Sequence, residues 1–198
     1  MSTKKWAISF LGFFLLSWHS LQAVPAQVII IRHGDDLSAT GIDLDTTGYE
    51  RAGALSPFFQ LDPQVLEFGL PVALFAVKPR TITSSKRALE TLTPLSQVLG
   101  MPIHTPFLKE DTIDLANLIL NESRYDGKMV LICWMGENMQ NLTVALGAPM
   151  PPPYPLTRFD LIYKITYTDP FNPTFCCGLQ ELMEGDPTTI PAGFTPCP

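Results

Sequence analysis

The chain has 198 residues, of which 46% are hydrophobic and 16% are charged, and its formal net charge is −6. This composition suffices for the core of one domain and excludes a disordered chain. The negative charge disfavours a surface that binds nucleic acid or anionic membrane, so any affinity for phosphate must come from a local pocket.

The N-terminus predicts a secretory signal peptide over residues 1–23. Two lysines form a positively charged start, and the apolar run Trp6–Trp18 follows them. The run is short for a membrane span, and Leu21–Ala23 offers a small-residue cleavage site. We therefore expect one domain over residues 24–198, in the periplasm or secreted, with no membrane contact after cleavage. A retained membrane anchor is the alternative.

The first predicted strand, Val28–Ile31, is continuously apolar, which is typical of a strand buried on both faces. Arg32, His33 and Gly34 follow it directly. Ligands of α/β sheets bind outside the carboxyl ends of the strands, so we expect these residues at that edge. Gly34 lets the backbone turn and approach a ligand closely. Taken alone, the tripeptide is equally well explained as an ordinary strand end.

Helices and strands then alternate along the chain. The first four are a helix over Thr46–Leu61 capped by Thr46 or Thr47, a strand over Val72–Val77, a helix over Ser84–Leu99 capped by Ser84 or Ser85, and a strand over Ile103–Thr105. The next four are a helix over Thr112–Ser123, a strand over Met129–Trp134, a helix over Asn138–Leu146 and an outer strand over Phe159–Tyr167. The proline-rich stretch Pro149–Pro155 and the C-terminal tail are predicted loops. This alternation predicts a three-layer α/β/α sandwich with a mostly parallel central sheet, whose neighbouring central strands are Val28–Ile31, Val72–Val77 and Met129–Trp134.

A second basic residue is expected at the same edge of the sheet. Arg87 lies in the first turn of the helix that follows the strand Val72–Val77. Helix N-termini favour anions, and a planar guanidinium binds phosphate oxygens in pairs. Two arginines from two strand ends would therefore make a phosphate cradle. For Arg87 alone, the alternative is an ordinary arginine on a helix surface.

The four cysteines fall into two groups. Cys133 lies in an apolar strand and is expected to be a buried thiol. In an exported protein we expect a disulfide between Cys197 and either Cys176 or Cys177, because a vicinal pair would strain the backbone. A zinc site would need more ligands at better spacing, and the sequence predicts neither a metal nor another cofactor.

The order and spacing of these motifs resemble the histidine phosphatase superfamily, the phosphoglycerate-mutase-like group, over nearly all of residues 24–198. The family's motifs match Arg32, His33 and Gly34, then Leu44, Gly48, Arg51 and Ala52, then Ser84, Arg87, Ala88 and Thr91. The strand that ends at Trp134 matches a later strand of the family. The stretches Arg158–Asp160 and Gln180–Asp186 resemble the tail of a bacterial branch.

The resemblance implies a phosphatase that hydrolyses a phosphomonoester through a phosphohistidine at His33. Arg32, Gly34 and Arg87 would bind the phosphoryl group, and Glu110 would protonate the leaving alcohol. Asp35 and Asp36 are the runner-up acids, or would cap the loop or orient His33. The implied partner is a small phosphorylated substrate, or phosphate.

One departure from the family limits this prediction. The family places a second histidine just after the strand that corresponds to Met129–Trp134, and Met135 stands there. Methionine has no hydrogen-bond donor, and the loss of one such donor typically costs ~10²–10³ in rate. Glu137 would add repulsion. The alternative is therefore an inactive pseudophosphatase that binds a phosphorylated ligand or partner.

His104 is the only histidine of residues 24–198 besides His33 and is expected to be structural or peripheral. A cell-envelope protein with no role in phosphate chemistry is a third reading. The presence of both arginines together with His33 argues against it.

Overall fold

A computed structural model describes residues 24–36 and 41–198 of the chain. The predicted signal peptide, residues 1–23, lies outside the described residues. The strands are β1 (Gln27–Arg32), β2 (Pro71–Ala76), β3 (Ile103–His104), β4 (Met129–Trp134), β5 (Leu161–Thr166) and β6 (Thr174–Leu179). The helices are α1 (Thr46–Leu61), α2 (Arg87–Leu99), α3 (Thr112–Asn121) and α4 (Gly136–Ala145), and a short 3₁₀ helix covers Ser123–Tyr125.

The strands form one mostly parallel sheet in the order β3-β2-β4-β1-β5-β6. The first four run parallel to one another, and β5 and β6 join as antiparallel strands. Ile30 in the middle of β1 lies between Ile132 of β4 and Tyr163 of β5. The prediction that β1, β2 and β4 are neighbouring central strands is confirmed, because continuous apolar sequence matches burial on both faces.

Helices cover both faces of this sheet. Val28 and Ile30 of β1 point to one face and pack against α3 and α4. Ile29 and Ile31 point to the other face and pack against α1 and α2. Alternate residues of a strand face opposite sides, so a single buried strand serves two hydrophobic cores. The predicted three-layer α/β/α sandwich is therefore confirmed.

Helix α1 begins at the predicted residue, but its predicted cap is wrong. Asp45, not Thr46 or Thr47, is the N-cap, and its carboxylate accepts a hydrogen bond from the backbone N–H of Gly48 at 2.7 Å. A side chain one residue before the helix is placed to reach the third helical N–H, whereas the threonines already lie inside the first turn.

Two other helices begin at residues that the pattern did not predict. Helix α2 begins at Arg87 and not at Ser84. Ser84 instead belongs to a turn with Thr81, in which the backbone N–H of Thr81 donates to Ser84 Oγ at 2.9 Å. The N-cap is Lys86, so the prediction of Ser84 or Ser85 as N-cap is wrong, although Ser85 Oγ does accept from the backbone N–H of Arg87 at 3.4 Å. Helix α4 begins at Gly136, two residues earlier than predicted. None of the helices in the described part of the chain is long and apolar enough to cross a membrane.

The C-terminal region contributes an edge strand that the sequence did not predict. Because β6 pairs with β5, β5 is not the outer strand. The last residues then run beside β6: Cys177 donates its N–H to Thr195 O at 2.8 Å and accepts from Cys197 N at 3.0 Å. A disulfide joins Cys176 to Cys197, which confirms the predicted pairing of Cys197 with one of the vicinal cysteines.

Candidate active site

Arg32 and His33 lie at the carboxyl edge of the parallel strands, as expected. Arg32 is the last residue of β1, and the N–H of His33 still bonds to Trp134 O of β4 at 3.3 Å. Only 8% of Arg32 and 1% of His33 are exposed. The backbone that carries both side chains is thus fixed by the sheet itself.

Gly34 and Gly48 allow two backbones to come into contact behind His33. A Cβ at Gly34 would lie 2.9 Å from Gly48 O, and a Cβ at Gly48 would lie 2.3 Å from Asp35 O. The N–H of Gly34 donates to Thr91 Oγ1 at 2.8 Å, and that hydroxyl donates to Arg87 O at 2.7 Å. The loop after β1 is therefore tied to both α1 and α2. The N–H of Gly34, predicted to bind the phosphoryl group, already donates to Thr91.

The imidazole of His33 is held by the next residue. Its Nδ1 lies 2.8 Å from the carbonyl oxygen of Gly34, which can only accept, so Nδ1 carries the proton and donates. Burial lowers the pKa of His33 to about 4; the bond to Gly34 opposes this shift, and the charges of Arg32 and Arg87 add to it. At neutral pH the ring is neutral, and its Nε2 carries a lone pair.

This pKa predicts an acid-sensitive fold. Folding disfavours the protonated ring, so stability is complete above the unfolded pKa of about 6.5 and declines as pH falls toward 4. We expect His33 to account for a loss of up to roughly 3 kcal/mol over that window. Urea unfolding of wild type and His33→Gln at pH 7 and pH 4 measures it. The same acid-induced loss in both proteins would contradict the assignment.

Arg32 is fixed by a loop that sequence reasoning did not connect to it. Its Nη1 donates to Leu156 O at 2.5 Å and to Arg158 O at 2.9 Å. Its guanidinium carbon lies 4.0 Å from the ring centroid of Phe159. A Cβ at Gly136 would lie 3.2 Å from Arg32 Nε, which has no hydrogen-bond partner among the described residues. Backbone carbonyls have no sequence signature, so nothing in the sequence predicted this contact.

The carboxylate of Asp36 lies between the guanidinium groups of Arg32 and Arg87. It forms an ion pair with Arg87 Nη1, and its other oxygen lies 4.0 Å from Arg32 Nη2. Arg87 Nε donates to Ser85 Oγ at 2.8 Å. We call Arg32, His33, Asp36 and Arg87 the His33 cluster. The structure thus brings the three predicted residues together and adds Asp36, which had been only a runner-up acid.

Asp35, the other runner-up acid, forms an ion pair with Arg51 and not with the arginines of the His33 cluster. Arg51 donates from Nε to Asp35 Oδ2 at 2.6 Å and from Nη2 to Asp186 Oδ1 at 2.7 Å. Only 2% of Arg51 is exposed. Burial alone would lower the pKa of Arg51, but the two carboxylates raise it. Asp35 is therefore engaged in an ion network that joins the loop after β1, α1 and the C-terminal segment.

A pocket of about 330 Å³ opens beside the His33 cluster. Arg87, Met135 and Glu110 line it together, so Met135 shares a pocket with one of the two predicted phosphate-binding arginines. Glu110 is half-exposed and forms an ion pair with Arg80 at 3.2 Å. The predicted acid thus lies on the rim of the pocket, bound to another arginine.

Glu137 adds negative charge to the same pocket. Its carboxylate accepts from Lys109 Nζ at 2.9 Å. Burial alone would raise the pKa of Glu137, but the hydrogen bond from Lys109, a hydrogen bond from its own backbone N–H and the charge of Lys109 lower it. Glu137 is therefore an ionised side chain close enough to influence His33, and it partly offsets the positive charge of the arginines.

His104 and Cys133 lie outside the His33 cluster. His104 ends the edge strand β3, with its ring centroid 5.4 Å from that of Phe75. Cys133 is fully buried, which raises the pKa of its thiol. Both placements agree with the structural roles that the sequence predicted.

No family model matches the sequence, and no curated protein matches it. Among solved structures, it is similar to a mycobacterial glucosyl-3-phosphoglycerate phosphatase at 13% identity, covering 78% of this chain and 97% of that one, with a TM-score of 0.48. It is also similar to phosphoglycerate mutase from Bacillus anthracis at 12% identity, covering 78% and 92%, with a TM-score of 0.45. A protein assigned as phosphohistidine phosphatase SixA from Agrobacterium tumefaciens matches at 12% identity over 73% and 93%, with a TM-score of 0.44. At TM-scores below 0.5 these similarities assign no chemistry to this chain.

Proposed function

We propose that this protein is an exported phosphomonoesterase of the histidine phosphatase type that forms a phosphohistidine at His33. The observation that carries the proposal is the hydrogen bond from His33 Nδ1 to Gly34 O, on a ring whose pKa the charges of Arg32 and Arg87 also lower. A neutral imidazole protonated at Nδ1 presents the lone pair of Nε2, which is the form that attacks phosphorus. The lowered pKa keeps this form present at neutral pH.

The proposed reaction has two steps. Nε2 of His33 forms a bond to phosphorus as the ester P–O bond breaks, and the leaving alkoxide takes a proton from a carboxyl group. A water molecule then attacks phosphorus, gives a proton to that carboxylate, and releases phosphate as the N–P bond breaks. We assign the carboxyl group to Glu110, on the rim of the pocket that Arg87 also lines. Its ion pair with Arg80 must open for this role.

The surroundings of His33 suit the charge changes of this reaction. Phosphorylation at Nε2 makes the ring cationic while Nδ1 keeps its proton, and the carbonyl of Gly34 is placed to accept from that N–H more strongly. Arg32 and Arg87 would bind the phosphoryl oxygens. Their positions are set by backbone carbonyls and by Ser85, so little reorganisation is needed during transfer.

Export is part of the proposal. The basic and apolar start of the chain favours a secretory signal over residues 1–23. The disulfide between Cys176 and Cys197 supports the same inference, because disulfides persist in oxidising compartments and are rare in the cytosol. The substrate would then be a small phosphorylated compound in the periplasm or outside the cell.

A pseudophosphatase is the second candidate, and a specific observation favours it. Met135 lines the pocket where a donor to the phosphoryl oxygens would be needed, and the ionised Glu137 stands beside it. Such a site could hold a phosphorylated ligand through its arginines and yet transfer the phosphoryl group slowly or not at all.

Trapping the phosphorylated protein tests the function. The chain without residues 1–23 is incubated with a ³²P-labelled aryl phosphate and quenched, and the label is tested for the acid lability and base stability of phosphohistidine. We expect label in wild type and in His104→Ala, the matched control, and none in His33→Ala. An absence of label and of turnover in a wild type that binds phosphate would favour the pseudophosphatase. Label in His33→Ala would overturn the assignment of the nucleophile.

A further inference from the structure

We propose that Asp36 is an internal competitor for phosphate: its carboxylate occupies the arginines of the His33 cluster until substrate displaces it. This inference rests on the proposed function, because it assigns phosphate to the same two guanidinium groups. It goes further in naming the residue that limits affinity for substrate and for the phosphate product. The device is an autoinhibitory contact between the loop after β1 and the start of α2.

The contacts of Asp36 are those that a phosphate would make. One carboxylate oxygen pairs with Arg87 Nη1 and the other faces Arg32 Nη2 at 4.0 Å. Only 8% of its side chain is exposed, with similarly small fractions for both arginines. Within the described ranges, 24–36 and 41–198, neither arginine has another acidic partner within ion-pair distance. Asp36 therefore stands where a bound anion would have to lie.

The closed state of the cluster supports the same conclusion. Of the four cluster residues, only Arg87 lines the adjoining pocket in the described structure. Arg32 and His33 are almost completely buried. An incoming phosphate must turn the Asp36 side chain away before it can reach both guanidinium groups and the ring. Each phosphate that binds must therefore first break the contacts of Asp36 with the two arginines and then form its own.

The functional consequence concerns substrate and product equally. Asp36 must leave both for the bound phosphoester and for the transition state, so it weakens their binding by the same factor. It also returns to the arginines when phosphate dissociates. A hydrolase whose product is the anion that its site recognises would in this way release phosphate readily. The cost is a higher KM.

Isothermal titration with inorganic phosphate at pH 7.5 measures the effect. We expect Asp36→Asn to bind phosphate at least ~10-fold tighter than wild type, since close charge pairs typically couple by that much or more. KM for an aryl phosphate should fall in parallel. Glu122→Gln is the control: it neutralises a carboxylate that pairs with the exposed Arg124, away from the pocket, and should leave phosphate affinity unchanged.

A second variant tests occupancy directly. Asp36→Gly should also bind phosphate more tightly, and added acetate should weaken that binding far more than it does in wild type, because acetate can refill the vacated place. Unchanged or weaker phosphate binding by both variants would overturn the inference. If His33 still becomes labelled in wild type, the proposed function stands without it. If wild type neither becomes labelled nor binds phosphate, and the variants do not bind it either, both proposals fail.

Discussion

Replacing Met135 with histidine should raise the turnover of an aryl phosphate by as much as ~10²-fold. Met135 precedes α4 and lines the pocket beside Arg87, so an imidazole there could donate to a phosphoryl oxygen. One preorganised donor to a developing negative charge is typically worth ~10²–10³ in rate. The gain should appear in kcat more than in phosphate affinity, because such a donor acts most strongly in the transition state.

Two variants control this experiment. Met135→Leu keeps the approximate volume without a donor and should leave the rate at the wild-type level. His33→Ala in the Met135→His background should abolish the gain. If Met135→His changes nothing while phosphate still binds, Met135 is not what limits catalysis. Glu110, tied to Arg80, would then be the next residue to examine, and the pseudophosphatase would become the better reading.

Replacing Arg51 with methionine should destabilise the fold by ~3–5 kcal/mol, the usual loss when one member of a buried ion network is removed. Methionine replaces the length of the side chain, but it leaves the carboxylates of Asp35 and Asp186 without their shared partner. Asp186 still accepts from the N–H groups of Leu182 and Met183, so its charge remains held near the vacated place. Urea unfolding at pH 7 measures the change as a shift in midpoint.

The exposed pair of Arg80 and Glu110 provides the contrast. Arg80→Met should cost less than ~1 kcal/mol, because surface ion pairs contribute little. Adding Asp186→Asn to Arg51→Met should recover part of the stability, which a double-mutant cycle reports as coupling between the two residues. Equal losses from Arg51→Met and Arg80→Met would show that burial of the network is not what makes it important.

The central sheet was predictable because the sequence of each of its central strands by itself indicates a buried strand. Val28–Ile31 and Met129–Trp134 are apolar without interruption, and short runs of this kind are typical of strands buried on both faces. The edge strand β6 was not predictable in the same way. Its residues are buried unevenly, and the strand forms only because β5 offers a free side for pairing.

The candidate site likewise has positions that the sequence predicted and contacts that it did not. The positions of Arg32 and His33 follow from the end of a strand that the sequence predicted, and Arg87 lies at the start of a helix that begins three residues later than predicted. The contact of Arg32 with the carbonyls of Leu156 and Arg158 does not follow from local sequence, because it joins residues more than 120 positions apart through atoms that every residue possesses. The different partners of Asp35 and Asp36 were equally hidden, since adjacent aspartates look identical until the loop's path is known.

The disulfide at the C-terminus has a consequence for association between chains. Strand β6 ends the sheet, and an uncovered edge strand is a template on which another chain can pair. The bond from Cys176 to Cys197 holds the tail alongside that edge, where Thr195 and Cys197 use the N–H and C=O of Cys177. The tail thus covers part of the free edge of β6, where another chain would otherwise pair, and the disulfide is the covalent bond that holds it there.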